Sequence, residues 1–409
     1  MVRRDEILDT ASRLFALSGL RTSLQDIADA CGIQPGSLYH HFDSKESIVI
    51  ELLRRYHAEL DRVAERARDQ LKDLDPRQAD RQIIRLGTDL AECAVRNSAA
   101  VQFTFYEPPA GASEDLARLA GRPPAAAEAA VLDTLRTARS GGVVRDGTDL
   151  EMLTSRLIHT MLHVALGLFD RYPAVRPVAG RLGAIMLHGV AAVPPSDGEL
   201  DRSAALAAVD EVIRTWEVPG VSANGDRAEL IRQAARAEFG RRGYEVTTVR
   251  DIAGAAGVST GSVYRTIGSK EELLGTIMDA FSRKVVAGWS AALGSGATPV
   301  EKLDALVWLQ INVLEQFNDE YKTQLAWMRQ SPPDANTPGQ PIPMVIRQVR
   351  SLLAEGSRDG QIRVDSPSAE LTARCVIELS WMPERIIRDS GTRPALAHAR
   401  DTLIRGVAA

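Results

Sequence analysis

A chain of 409 residues, 44% apolar and 25% charged, exceeds the roughly 100–200 residues of one domain and has ordinary globular proportions, which excludes a fibrous or disordered protein and requires two or more cores. No apolar run approaches the about 18 residues that span a bilayer, and Met1-Val2-Arg3-Arg4-Asp5-Glu6 leads into no signal-peptide core, so no membrane partner and a cytoplasmic location are expected. The net charge of −5 excludes a globally basic nucleic-acid binder, leaving any DNA-binding surface local.

The first predicted helix covers about 4–18, with Ile7, Ala11 and Phe15 on one face. Gly19 suits its C-cap, and Thr22 or Ser23 caps a short helix over 24–30 in which Leu24, Ile27 and Ala28 face inward. Cys31-Gly32-Ile33 then supplies a tight turn, so the pattern is a helix-turn-helix. Its second helix opens at Gln34-Pro35-Gly36-Ser37, with Pro35 in a first turn where a missing N–H costs nothing. Gln34, Ser37 and His40 reach outward to base edges or phosphates, and Gly36 lets the backbone approach DNA closely. Tyr39 offers a hydroxyl to a phosphate while its ring is expected to pack on the scaffold. Ser44-Lys45-Glu46 starts a long helix, where a lysine opposes the macrodipole unless that terminus faces an anion.

Apolar residues then recur at helical spacing through 45–70, 77–97, 125–140, 149–170 and 175–193, with Pro108-Pro109 and Pro123-Pro124 in the loops. Phe103 and Tyr106 are candidates to line an effector cavity. His159 and His163 lie four apart, a spacing that suits a metal, but no third ligand is placed, so no metal is expected and they read as core or as polar contacts to an effector. Cys31, Cys93 and Cys375 stand in no metal or redox spacing and read as buried reduced thiols. Pro194-Pro195-Ser196-Asp197-Gly198 breaks the pattern, a last amphipathic helix fills 200–216, and 217–225 reads as a linker.

The pattern then repeats. Residues 249–271 match 24–46 at eleven of 23 positions without a gap, and the match extends upstream through Ile231, Ala235, Phe239 and Gly243. Gly142-Val143-Val144-Arg145 and Leu153-Thr154-Ser155-Arg156 likewise return as Gly360-Gln361-Ile362-Arg363 and Leu371-Thr372-Ala373-Arg374. A whole unit is therefore duplicated. The chain divides into a head 1–46, a helical body 47–216, a linker 217–225, a second head 226–271 and a second body 272–409. The second head offers Thr247, Thr248, Ser259, Thr260, Gly261, Ser262, Tyr264, Arg265 and Lys270 to DNA, and its Ser269-Lys270-Glu271-Glu272 is a full capping box. Trp308, Tyr321 and Trp327 are its effector candidates. Residues 1–46 carry five basic against seven acidic side chains, and 226–271 carry eight against six, so more phosphate contact is expected from the second head.

Asp26-Ile27-Ala28, Gly36-Ser37-Leu38-Tyr39-His40-His41-Phe42 and Ser44-Lys45-Glu46, with Asp251-Ile252-Ala253, Gly261-Ser262-Val263-Tyr264 and Ser269-Lys270-Glu271, make both units resemble the tetracycline-repressor (TetR) family of bacterial regulators. The resemblance implies an all-α fold in which each three-helix head stands on a larger ligand-binding and dimerising body, here joined as an intrachain pseudo-dimer. Helices 149–170, 175–193, 367–390 and 394–407 occupy the chain positions of the family's dimer bundle. It further implies a repressor of double-stranded operator DNA released by a small effector; the apolar bodies favour a hydrophobic compound or an acyl thioester. Arg265-Thr266-Ile267-Gly268 replaces His40-His41-Phe42-Asp43, so the heads are expected to read different bases of an asymmetric operator. The alternative is one degenerate head, with two chains pairing on a palindrome. No catalytic motif and no cofactor fingerprint occurs, so an enzyme is not expected.

Overall fold

The computed structural model describes residues 4–18, 22–104, 108, 112–165, 174–216, 227–330, 342–363 and 368–409. The linker 217–225, Tyr106 and the side chain of Trp327 lie outside the described residues. The fold is all-α, and among the described residues extended pairing is confined to two isolated antiparallel bridges.

The first unit begins with α1 (Arg4–Ser18), α2 (Leu24–Ala30) and α3 (Pro35–Tyr39), which enclose Ile7, Phe15, Ile27, Ala28 and Leu38. Its body follows as α4 (Lys45–Leu71), α5 (Ala79–Arg96), α6 (Ser98–Phe103), α7 (Glu114–Ala120), α8 (Ala125–Ser140), α9 (Leu150–His163) and α10 (Val175–His188). α4 buries Ile48, Leu52, Leu53, Tyr56, Leu60, Val63 and Ala67, a stripe at helical spacing that packs on α8 and α5. α5 keeps an outward row of charge, with Arg81, Arg85 and Arg96 exposed, and buries Ile83, Leu86, Leu90 and Ala94 on its other side.

After the short α11 (Asp197–Asp201) and α12 (Ala204–Arg214), the second unit repeats the order: α13 (Arg227–Arg242), α14 (Val249–Ala255), α15 (Thr260–Ile267), α16 (Lys270–Gly294), α17 (Pro299–Gln316), α18 (Asn318–Gln330), α19 (Ile342–Arg358), α20 (Ala369–Ser380), α21 (Glu384–Ser390), α22 (Thr392–Ala399) and a π-helical turn over Arg400–Arg405. α12 follows the first body in the chain yet packs against α16 and α17. α17 accordingly differs from α5: residues 303–314 are all buried, as expected of a helix covered on every side.

The two units close on each other around a pseudo-twofold axis. α10 packs on α20 and on the turn Arg400–Arg405. Gly189 and Gly406, both at positive φ, meet there: a Cβ on Gly189 would lie 2.3 Å from the Ile404 carbonyl oxygen, and one on Gly406 would lie 2.4 Å from that of Leu187. The chain leaving each glycine then pairs with the other unit. Val190 N–H donates to Leu403 O at 2.9 Å and Ala191 N–H to Ile404 O at 2.9 Å, while Val407 N–H donates to Met186 O at 3.0 Å and Ala408 N–H to Leu187 O at 2.8 Å. The bridges Val144–Ala408 and Ala191–Ile362 complete the exchange, with Arg145 N–H on Val407 O at 3.0 Å and Arg363 N–H on Val190 O at 2.8 Å. The arginine forks nearly correspond, Arg145 donating to Gly406 O and Arg363 to the carbonyl one residue before the equivalent Gly189, that of His188. Beside this axis Arg156 of α9 is fully buried and donates across to Leu379 O and Met382 Sδ.

Candidate nucleic-acid interface

Each head is built from local capping. Ser23 Oγ accepts from Asp26 N–H at 3.1 Å while Asp26 accepts from Ser23 N–H at 2.7 Å; Thr248 and Asp251 repeat the box at 3.2 and 2.8 Å. These hydrogen bonds hold both carboxyls below the usual carboxylate range. The shared Asp26 and Asp251 thus serve helix starts, and Asp29 accepts from Gln25 Nε2 at 2.7 Å. Gly32 and Gly257 turn the chain at φ +65° and +66°, which a side chain would resist.

The second helix of each motif presents a different surface. In the first unit Gln34, Gly36, Ser37, Tyr39 and His40 are exposed and Pro35 is half-buried. Gln34 occupies the N-cap position without capping, so its amide extends free of that duty. In the second, Ser259 caps α15 by accepting from Ser262 N–H at 3.2 Å, Ser262 is buried, and Thr260, Gly261, Tyr264, Arg265 and Thr266 are exposed. α15 runs three residues longer than α3 because Gly268, at φ +72°, closes it where the first unit has Asp43. Arg265 donates to Gly261 O at 3.2 Å along the exposed side of α15.

Several expectations need correction. Tyr39 is not buried on the scaffold: it is 52% exposed, as its counterpart Tyr264 is at 56%. Thr22 and Thr247 are buried, their hydroxyls donating to Leu14 O and to Glu238 O and Gly243 O, so these threonines tie the second helix to the first while Ser23 and Thr248 remain exposed. The Lys270 ammonium is engaged within its own head: it donates to Tyr244 O and Thr247 O, both at 3.0 Å, and lies 4.2 Å over the Tyr244 ring. Carbonyl oxygens and an aromatic face offset the cost of a cation at this helix start. Lys45 is half-buried, and that burial pulls its pKa down.

The heads are fastened to the bodies by contacts that include two effector candidates' neighbourhoods. Phe103 of α6 meets Phe15 of α1 edge to face at 5.5 Å, making it a head-to-body contact. α13 lies on α18, where a Cβ on Gly240 would be 2.3 Å from Asp319 Oδ1 and Arg236 pairs with Glu320 at 3.3 Å. α18 also touches α1 of the other head. Tyr321 of α18 stacks on Trp381 at 4.1 Å. Trp308 is buried, its indole N–H donating to Asp210 of α12 at 2.6 Å and its ring covered by Arg393 at 4.3 Å. The rings of His159 and His163 lie 3.6 Å apart, tilted by 38°, and burial with the Arg156 charge pushes His159 down to about 3.

Sequence reasoning missed Gly189-Val190-Ala191-Ala192 and Gly406-Val407-Ala408-Ala409, which are identical four-residue segments at the axis. The available signal was the repeat itself, extended past the last helix.

The pattern described as bacterial regulatory proteins, tetR family, matches twice, at residues 7–52 and 231–277. The chain is 30% identical over 176 residues to the HTH-type transcriptional repressor KstR2 of Mycobacterium tuberculosis, covering 41% of this chain and 84% of that protein. It is 66% identical over 55 residues to KstR2 of Rhodococcus jostii, covering 13% and 27%. A solved structure of ketosteroid transcriptional regulator KstR2 of Mycobacterium tuberculosis aligns with 25% identity and a TM-score of 0.37 over 45% of this chain and 97% of that one. The chain belongs to the tetR family of bacterial regulatory proteins and carries two units of it in tandem.

Proposed function

We propose that this DNA-binding regulator is a repressor in which one chain supplies both heads to an asymmetric operator, and that a small, largely hydrophobic effector releases it. The carrying observation is the pseudo-twofold junction, where reciprocal backbone hydrogen bonds and facing glycines use within one chain the surface that two chains would otherwise share. Two heads around such an axis suit successive major grooves about one helical turn apart. Tethering replaces a bimolecular assembly step, so operator occupancy depends less on protein concentration.

The asymmetry rests on Gln34, Pro35 and His40 against Ser259, Thr260 and Arg265, of which all but the half-buried Pro35 are exposed in their heads. The relatives' repressor names support the sign of regulation. An effector acts by favouring a head separation that mismatches the grooves, and the His159–His163 pair of the first body offers it polar contacts. Selection of bound DNA from a genomic library, followed by footprinting of Gln34→Ala/His40→Ala and Ser259→Ala/Arg265→Ala variants, tests this reading. Each pair of changes is expected to expose one half-site. Protection of both half-sites by the first variant would mean that the acidic first head serves assembly and that two chains bind through their second heads.

A further inference from the structure

The bodies are filled differently. In the first, α8 lies along α4 and α5 and continues the core to α9. In the second, α19, the counterpart of α8 in chain order, packs on α17 and α20, and it is α12 that lies along α16 and α17. α12 is shaped for this place: Ser203 caps it by accepting from Leu206 N–H at 3.1 Å, and Ala205, Leu206 and Val209 are buried at 2% exposure or less. Its partner helix is prepared as well, because residues 305–314 of α17 contain no charged side chain.

Both ends of the segment are pinned. Before α12, Asp197 and Asp201 accept from Arg400 at 3.1 and 2.8 Å, and Arg400 holds the buried Asp304 of α17 through two bonds of 2.8 and 2.9 Å. Midway, Asp210 accepts from Trp308. After α12, Trp216 is buried against Phe317 at 5.1 Å edge to face, and Phe317 in turn meets Phe281 of α16 at 6.0 Å. Among the described residues the indole N–H of Trp216 has no acceptor, so ring packing alone seats it.

We infer that α12 with Trp216 is a resident occupant of the second body: a tethered segment of the chain fills the place between α16 and α17 and keeps a diffusible effector out of it. α16 starts at the second head, directly after α15. Its packing against a permanent occupant holds that head in one pose, and effector response is left to the first body. This rests on the proposed repressor reading and adds to it which half of the molecule is regulated.

The test removes the seated ring and returns it as a free molecule. Trp216→Ala in the full chain is expected to lose about tenfold in operator affinity through the second head's half-site. Free indole, a probe for the vacated space, is expected to restore it and to raise the variant's melting temperature, while leaving the original chain unchanged in both assays. Trp216→Phe, which keeps a ring on Phe317, is expected to bind operator like the original chain. Where Trp216→Ala does not fold, Leu206→Ala with benzene makes the same comparison, since a void lined by apolar side chains stays dry and admits such a ligand. Indole or benzene that binds the variant without changing operator affinity overturns the inference, as does operator affinity unaltered by the substitution. Failure of the repressor reading is seen separately, as loss of operator binding by no head variant or release of the original chain by no small molecule.

Discussion

At positions 142 and 189 glycine shares a positive φ but not its surroundings. Gly142 has φ +72° and nothing near its missing Cβ, whereas Gly189 has φ +67° and faces the Ile404 carbonyl at 2.3 Å. Gly142→Ala is expected to cost about 1 kcal/mol, the ordinary penalty of a left-handed non-glycine residue. Gly189→Ala adds a clash with backbone that cannot yield without parting the units, so a loss above about 3 kcal/mol is expected. Thermal unfolding of the two variants reads the difference directly, and equal losses would show that the facing glycines do not hold the junction. At this scale much was legible: Ser23 and Ser269 announced helix starts, and Gly32 announced a turn, because those interactions span three or four residues. Lys270 was not legible. Its partners, the carbonyls of Tyr244 and Thr247, are 26 and 23 residues away, and nothing in its own neighbourhood names them.

Among elements, periodicity placed the helices but not every partner. α12 was readable as an amphipathic helix, and chain order alone assigned it to the preceding body; its packing on α16 and α17 is a tertiary choice. The uncharged run 305–314 in α17, set against Arg81, Arg85 and Arg96 on α5, was the visible sign that the second body needs one more covering helix. The clamp on this arrangement is Arg400 with Asp304. Burial pushes the Asp304 carboxyl up, while its carboxylate partners keep Arg400 charged. Asp304→Ala leaves that guanidinium buried without its main partner and is expected to destabilise the chain by about 3–5 kcal/mol. Asp304→Asn, which retains shape and one acceptor, is expected to cost less; denaturant unfolding distinguishes them, and a mild Asp304→Ala would mean that Asp197 and Asp201 suffice.

For the molecule as a whole, ionisable groups near the junction make stability depend on pH. Burial and Arg156 push His159 and His398 down to about 3 each, from an ordinary 6.5. Between these values the unfolded chain binds protons that the folded chain refuses, so stability falls as pH drops below about 6.5, by about 1.4 kcal/mol per pH unit for each histidine. Glu378, pushed up to about 7 by burial, acts oppositely: between about 4.5 and 7 its folded form holds a proton that the unfolded chain has lost. The histidine contribution is therefore read as a difference. His398→Gln is expected to unfold with a shallower acid slope than the original chain between pH 6.5 and 5, and parallel slopes would refute the assignment.

The reciprocal pairing at the junction also fixes an order in time. Arg145 and Gly406 are 261 positions apart, so at roughly 5–20 residues per second a ribosome needs about 13–50 s to deliver the segment that completes the first unit. For most of that interval α9 and α10 stand without their partners in the second unit, next to the same surfaces on neighbouring nascent chains of one message. Fidelity of assembly is then a race between elongation and encounter. Slowed translation of the second half favours first units that have paired with each other, and faster translation favours the self-closed chain.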